Sequence, residues 1–321
     1  MSDTLSGAAR SEPSGNHGVF VWPGVRVGVL CNGVAGQGSD AADRARRVLD
    51  AMRAHGADCP DADGLPETIP AQMDLIREQK PGAVLAVGGD GTVNAGARVS
   101  LDCGAVLLVV PTGTMNLVAK DLGIPLTFEK QLADLTRLRE LTIDAAAVNG
   151  EVFLHSSALG FVPEMARRRE ALRKSDGPGE WVRNAARFVG GLGAVGSRAI
   201  AMRSDRGTAT RRTRSLLVSC NEIADGGPGE HRRVALDAGT LGVYASKHDG
   251  PFAWAGLCWS LAFGGLRRDP GTDRAVCGAL DVETGTRVAR VSNDGELATL
   301  ETPLEFRVLA RALRVLVPPA E

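Results

Sequence analysis

Three times between residues 25 and 123 the chain runs through the same order: a short apolar run, a glycine-bearing loop, then a helical pattern. "VRVGVL" (25–30) is followed by "CNGVAGQGS" and by the amphipathic "DAADRARRVLDAMRAHG". "GAVLAV" (82–87) is followed by "GGDG" and a helix starting near Thr92, and "AVLLVV" (105–110) by "PTGT" and "MNLVAKDLG", stopped by Gly123 and Pro125. Apolar runs of that length read as buried strands, and strands alternating with helices predict a parallel α/β sheet.

After about residue 145 the texture changes. Asn149-Gly150 is a hairpin signal between strand-like runs. "SLLVSCNE", "TLGVYAS", "TRVARVS", "LATLE" and "LEFRVL" are short and turn-punctuated. Two helical stretches, 163–173 and 252–266, interrupt them. The expected architecture is an N-terminal parallel α/β domain over 23–145 and a mostly antiparallel, β-rich domain over 146–321. Residues 1–22 read as a small, polar, disordered extension.

Bulk properties exclude several classes. The formal net charge of −1 supplies no field for nucleic acid. Six cysteines without a CxxC pair exclude the usual zinc spacings and fit reduced thiols. The N-terminus lacks a signal-peptide core, and the uncharged run 251–266 falls short of the ~18 residues of a spanning helix. A soluble, cytoplasmic protein is expected.

In a parallel α/β sheet the loops after the strands open at one edge, so those at 31–39, 88–91 and 111–114 line one crevice. Each precedes a helix whose first amides suit phosphate oxygens. The alternative is three tight turns with no ligand. Asp90, among Gly88, Gly89 and Gly91, puts a carboxylate where a Walker-type loop has lysine. A polyphosphate bound to Mg²⁺ tolerates that acid, which can hold the metal or its waters. This argues for a nucleotide–Mg²⁺ complex and phosphoryl transfer; GxGxxG and GK[ST] are both missing. A plain turn-forming Asp before Gly is the competing reading.

"GGDGTVN" (88–94) followed by "PTGTMNLVAKDLGIP" (111–125) resembles the diacylglycerol kinase catalytic family, which includes bacterial lipid kinases and sphingosine kinases. The resemblance runs from about residue 25 to 318. "CNGVAGQG" is similar to the family's NPxSGxG, "TIDAAAVNGEVFLHSSALGFVPEM" to the start of its second domain, and "SNDGE" (292–296) to its late DGE motif. It implies ATP as donor, Mg²⁺, a lipid hydroxyl as acceptor (diacylglycerol by default), and a peripheral visit to the membrane surface. Carried over, Gly88, Gly89, Asp90, Gly91, Thr92 and Asn94 bind the nucleotide phosphates; Gly113, Thr114 and Asn116 complete that pocket; Asn32, Gly36 and Gly38 form the first loop. Asp90 and Glu296 are the implied catalytic pair, with Glu296 as general base. "NDGE" is equally what a plain hairpin turn looks like.

The sequence also departs from the family. Leu117 replaces the acid of "GTGND", and Ala238 stands where the family's accessory metal site has an acid, leaving Asp237 one residue early. No metal ligands are assigned. Asp144 and Asn149 read as turn residues and His155 as structural. The basic stretch 166–174 is either a solvated helix face or a contact for anionic headgroups. The apolar stretch 252–266 is expected to pack against the sheet, with contact to membrane or acyl chains as the alternative. An NAD kinase shares GGDGT, and "CNEI" (220–223) resembles its Asn-Glu motif. A nucleotide-binding module without transferase activity is the other alternative.

Overall fold

The computed structural model describes residues 18–33, 40–160, 163, 197–224, 232–247 and 269–319. Strand β1 (Val27–Cys31), helices α1 (Asp40–Ala54) and α2 (Ile69–Gln79), β2 (Ala83–Gly88), α3 (Asp90–Cys103), β3 (Val106–Pro111), α4 (Leu117–Asp121) and α5 (Phe128–Asp134) make up the first part. β1 pairs with β2 and β2 with β3, both parallel and in continuous register. All three strands are buried along their whole length, as expected of parallel strands covered on both faces.

The period of two divides their side chains cleanly. Val27, Val29, Leu85, Val87, Leu108 and Val110 join Val48, Leu49 and Met52 of α1 in one core. Leu30, Val84, Ala86, Leu107 and Val109 join Val93, Ala97 and Val99 of α3 in the other. Helix α2 has no counterpart in the sequence reading. Thr68 caps it and a proline opens it, but only Gln72 and Ile76 are buried, so its apolar stripe is too narrow to show as a period.

The chain continues through β4 (Arg139–Val148), β5 (Glu151–Phe153), β6 (Ser156–Gly160), β7 (Arg198–Ser204), β8 (Gly207–Thr213), β9 (Ser215–Cys220), β10 (Leu241–Ser246), β11 (Thr272–Cys277), β12 (Ala279–Glu283), β13 (Val288–Asn293), β14 (Glu296–Glu301) and β15 (Leu304–Val317). Six of these form an antiparallel sheet in the order β11-β10-β9-β6-β13-β14. The others extend the first sheet as β1-β2-β3-β15-β12-β7-β8, with β4 and β5 attached through β15. β15 is parallel to β3 and antiparallel to β4 and β12, so the last strand returns to the first three. The 145/146 division falls inside β4. Phe153, Phe306, Leu216, Val218, Leu241 and Val291 are among the residues packed between the two sheets.

Asn149 and Gly150 both have positive φ, 49° and 83°, the geometry of a two-residue hairpin joining β4 to β5. Three expectations change. Asp144 is no turn residue: it lies in mid-strand on β4, 0% exposed. Residues 18–22, read as the end of a disordered extension, are anchored: Phe20 N–H donates to Leu138 O, and Trp22 is buried with Nε1 donating to Leu135 O. "LEFRVL" is the start of a strand reaching Val317, longer than its apolar pattern suggests, because a bulge between Leu309 and Leu313 breaks the alternation. The helical expectations at 163–173 and 252–266 lie, but for Pro163, outside the described residues. Among the described residues no helix is long and apolar enough to cross a membrane, and the five cysteines described are free.

Candidate active site

β2 ends at Gly88, Gly89 is the N-cap of α3, and Asp90 is the first helical residue. The first amides of α3 have no acceptor within the helix and carry its partial positive charge. Thr92 and Asn94 follow on the same turns, buried at 5% and 7% exposure. The third loop comes against the second: a Cβ on Gly113 would stand 2.7 Å from the Gly89 Cα. No side chain larger than hydrogen fits between those two backbones.

Asp90 joins the loops chemically. Its Oδ1 accepts the Leu117 N–H at 2.8 Å and its Oδ2 the Asn116 N–H at 2.9 Å. The carboxylate therefore acts as the missing cap of α4, whose first amides would otherwise lack acceptors. Asn116, at φ 47°, turns its own side chain back on the loop: Oδ1 accepts the Gly113 N–H, and Nδ2 donates to Gly113 O at 2.7 Å. Thr114 stands exposed at the tip.

The DGE segment arrives from the other sheet. Asp294 and Gly295 are the two central residues of the β13–β14 hairpin, with φ 47° and 94°. Glu296 follows, and its carboxylate lies over the start of α3: a Cβ on Gly91 would collide with Glu296 Oε1. "NDGE" is thus both a hairpin turn and a wall of the cleft. Asn32, Gly89, Gly91, Thr92, Asn94 and Glu296 share a cleft of about 400 Å³. Ile69 and Met73 of α2 and Ala95 and Arg98 of α3 also line it. The first two were not expected because α2 has no clear sequence signal, and no motif singles out Ala95 or Arg98. Gly36 and Gly38 lie outside the described residues.

Asp294 is the main residue the sequence reading missed, although it sits inside the quoted motif. Its carboxylate accepts the backbone N–H groups of Leu154 (2.6 Å), His155 (2.9 Å) and Ser156 (2.8 Å), and the side-chain amide of Asn94 (2.8 Å). Asn94 Nδ2 also donates to Val152 O at 3.1 Å. The Asn94 side chain, expected at the phosphates, is thus spent on fixing the turn that carries Glu296. His155 is buried, its Nδ1 3.2 Å from Ser156 Oγ.

The region of Ala238 does not fit a protein-held metal. Asp144, which reaches the neighbouring Gly239, accepts Asn221 Nδ2, Gly239 N–H and Arg311 N–H at 2.6–2.9 Å. Asp237 meets the Arg311 guanidinium at 3.7 Å. Among the described residues no three His, Cys, Asp or Glu side chains gather as a metal-binding group. The Asn-Glu pair of "CNEI" is committed elsewhere as well. Asn221 is fully buried, its Oδ1 accepting from Thr240, and Glu222 pairs with Arg274 at 3.2 Å.

The model of the diacylglycerol kinase catalytic domain matches residues 26–148. A probable lipid kinase YegS-like of Pseudomonas fluorescens is 30% identical over 241 residues, 73% of this chain and 77% of that protein. The chain belongs to the diacylglycerol kinase catalytic-domain family. A probable lipid kinase YegS-like of Yersinia pestis is 42% identical over 81 residues, 24% of this chain and 27% of that one. A crystal structure described as a putative diacylglycerol kinase from Bacillus anthracis superposes with a TM-score of 0.68 at 18% identity. It covers 94% of this chain and 100% of its own, which shows the shared fold. Membership of the diacylglycerol kinase family places the chain among kinases, and the two-sheet α/β arrangement is the one its structural neighbours have.

Proposed function

We propose that this chain is an ATP-dependent lipid kinase that transfers the γ-phosphoryl group to a lipid hydroxyl, with a diacylglycerol-like acceptor. The observation that carries the reading is the Glu296 carboxylate held over Gly91 at the start of α3, where an anionic ligand on the helix N-terminus would present its reacting end. The backbone amides at 89–92, with Asn32 and Thr92 in the same cleft, are suited to hold the phosphates. Asp90 contributes by holding the third loop beside them. Mg²⁺ brought with the nucleotide supplies neutralisation of phosphate charge when bound.

In the transfer step Glu296 orients the acceptor hydroxyl and takes its proton. The hydroxyl oxygen forms the new bond to the γ-phosphorus as the bond to the bridging oxygen breaks, and that electron pair leaves with ADP. A base matters here chiefly as an orienting group, because the transition state is loose. An acceptor dissolved in a bilayer requires a peripheral, transient visit to the cytoplasmic membrane face.

The test is transfer of labelled γ-phosphate from Mg·ATP to diacylglycerol, monoacylglycerol, ceramide, a sphingoid base and a polyprenol in mixed micelles. Soluble NAD serves as an additional acceptor, with Asp90→Asn and Glu296→Gln proteins alongside. A labelled lipid that disappears with Glu296→Gln supports the reading; labelled NAD replaces it by the NAD kinase alternative. One observation favours a second reading. Ala238 stands where the family resemblance implies an acid of the accessory metal site, and Asp144, which reaches the adjacent Gly239, is already saturated with donors. ATP binding without transfer to any acceptor would establish a nucleotide-binding module.

A further inference from the structure

Arg233 lies outside every motif quoted above, yet its side chain is 0% exposed and paired with Asp121, itself 2% exposed. Nε donates to Asp121 Oδ2 at 2.7 Å, the Arg233 main-chain N–H to Asp121 Oδ1 at 3.0 Å, and Nη1 to Leu154 O at 2.7 Å. Burial works against the guanidinium's charge, but Asp121, Cys220 and Asp294 together more than offset it and raise its pKa above the ordinary arginine value. Arg233 Nη2 is buried without a hydrogen-bond acceptor among the described residues.

The two ends of this bridge are informative. Asp121 closes α4, the helix whose first amides are held by Asp90. Leu154 is the residue whose N–H is held by Asp294, in the turn that carries Glu296. The contacts therefore close a ring: Asp90 to Asn116 and Leu117, Asp121 to Arg233, Arg233 to Leu154, Leu154 to Asp294, Asp294 to Asn94, and back along α3 to Asp90. The start of α3, the third loop with α4, the β5–β6 junction and the β13–β14 turn are all on it. A buried ion pair is not needed for stability as such, because well-packed apolar residues of similar volume often serve as well or better. A guanidinium that spans two segments in a fixed fork offers directional geometry that apolar packing does not.

We propose that Arg233 is a positioning residue for phosphoryl transfer. It fixes the β5–β6 junction, and through Asp294 the Glu296 carboxylate, against the helix that follows the third glycine loop. This rests on the reading of Glu296 as the base. Arg233→Met alone strands a buried acid and is expected to unfold easily, so the decisive protein is the charge-free pair Asp121→Asn with Arg233→Met. There the Asn Oδ1 still accepts the residue-233 N–H.

For that double variant the melting temperature is expected to stay close to the parent's, with kcat down about tenfold to a hundredfold and the KM for Mg·ATP within about twofold. Hydrogen exchange at the amides of 154–156 should accelerate in the same protein. Arg233→Lys, which keeps the charge without the fork, should recover only part of kcat. Parental kcat together with parental exchange at 154–156 overturns the proposal. If the parent transfers no phosphate to any acceptor, the functional reading fails separately. The exchange arm then decides positioning: accelerated exchange sustains it and unchanged exchange overturns it.

Discussion

The side-chain amide of Asn94 donates to the Asp294 carboxylate at 2.8 Å, joining positions 200 residues apart. Asn94 belongs to the glycine motif on α3 and Asp294 to the hairpin that presents Glu296. The bond therefore sets the distance between the glycine motif and the Glu296 carboxylate. With three backbone N–H groups also converging on Asp294, the β13–β14 turn has little freedom to shift along the cleft.

Asp294→Ala should cost both stability and activity. It leaves three amides and the Asn94 side chain short of an acceptor, at about 1–3 kcal/mol for each donor that stays dry. A urea midpoint and a transfer assay check this. An active, parentally stable Asp294→Ala protein would remove the turn from any account of the site.

Gly91→Ala separates chemistry from folding. Gly91 sits in the first turn of α3 without a positive φ, so alanine is conformationally acceptable and gains up to about 1 kcal/mol of helix propensity. Its Cβ collides with Glu296 Oε1, the movable end of a side chain. The expected protein is at least as stable as the parent and loses most of its kcat. Retained kcat in a folded protein would mean that Glu296 is not needed where it lies.

Gly113→Ala should behave differently, because there the obstruction is the Gly89 backbone at 2.7 Å and nothing flexible can yield. The two loops must part, weakening ATP binding together with stability. Asp90→Asn should give a milder form of the same result. One of its two oxygens becomes an NH₂ facing a backbone N–H, a loss of about 1–3 kcal/mol. Calorimetric ATP titration and thermal melts read both. Tight ATP binding by either variant would argue against the clamped loops as the phosphate site.

Alkaline pH should destabilise the fold. Burial pushes the thiols of Cys31 and Cys277 up to about 11 and that of Cys220 up to about 12, and raises the Tyr244 hydroxyl as well. These groups are neutral when protonated, so a raised folded-state pKa gives stability that is fully present below the unfolded thiol value of about 8.5. That stability is lost as pH rises through 11–12, because the unfolded chain ionises first. The urea midpoint should be flat from about pH 7 to 8.5 and fall steeply beyond about pH 9.5. A midpoint unchanged at about pH 11 would contradict the burial of these thiols.

Much of this protein follows from short-range chemistry. The apolar runs at 25–30, 82–87 and 105–110 specify buried strands. Their glycine loops specify where helices begin, and Asn-Gly and Asp-Gly specify two hairpins, because backbone conformation at those positions depends on the residues themselves. What pairs with what across the fold was decided only in three dimensions. Asp144 looks like a turn former in sequence and is a buried strand residue holding Asn221, Gly239 and Arg311. No sequence motif singles out Arg233, and its side chain is fully buried against Asp121. Asp90 reads as a ligand for a metal and spends both oxygens on the next loop. A buried polar group takes whichever donors the folded backbone brings within 3 Å or so. At separations of 26 to 200 residues, sheet register and helix packing choose those donors.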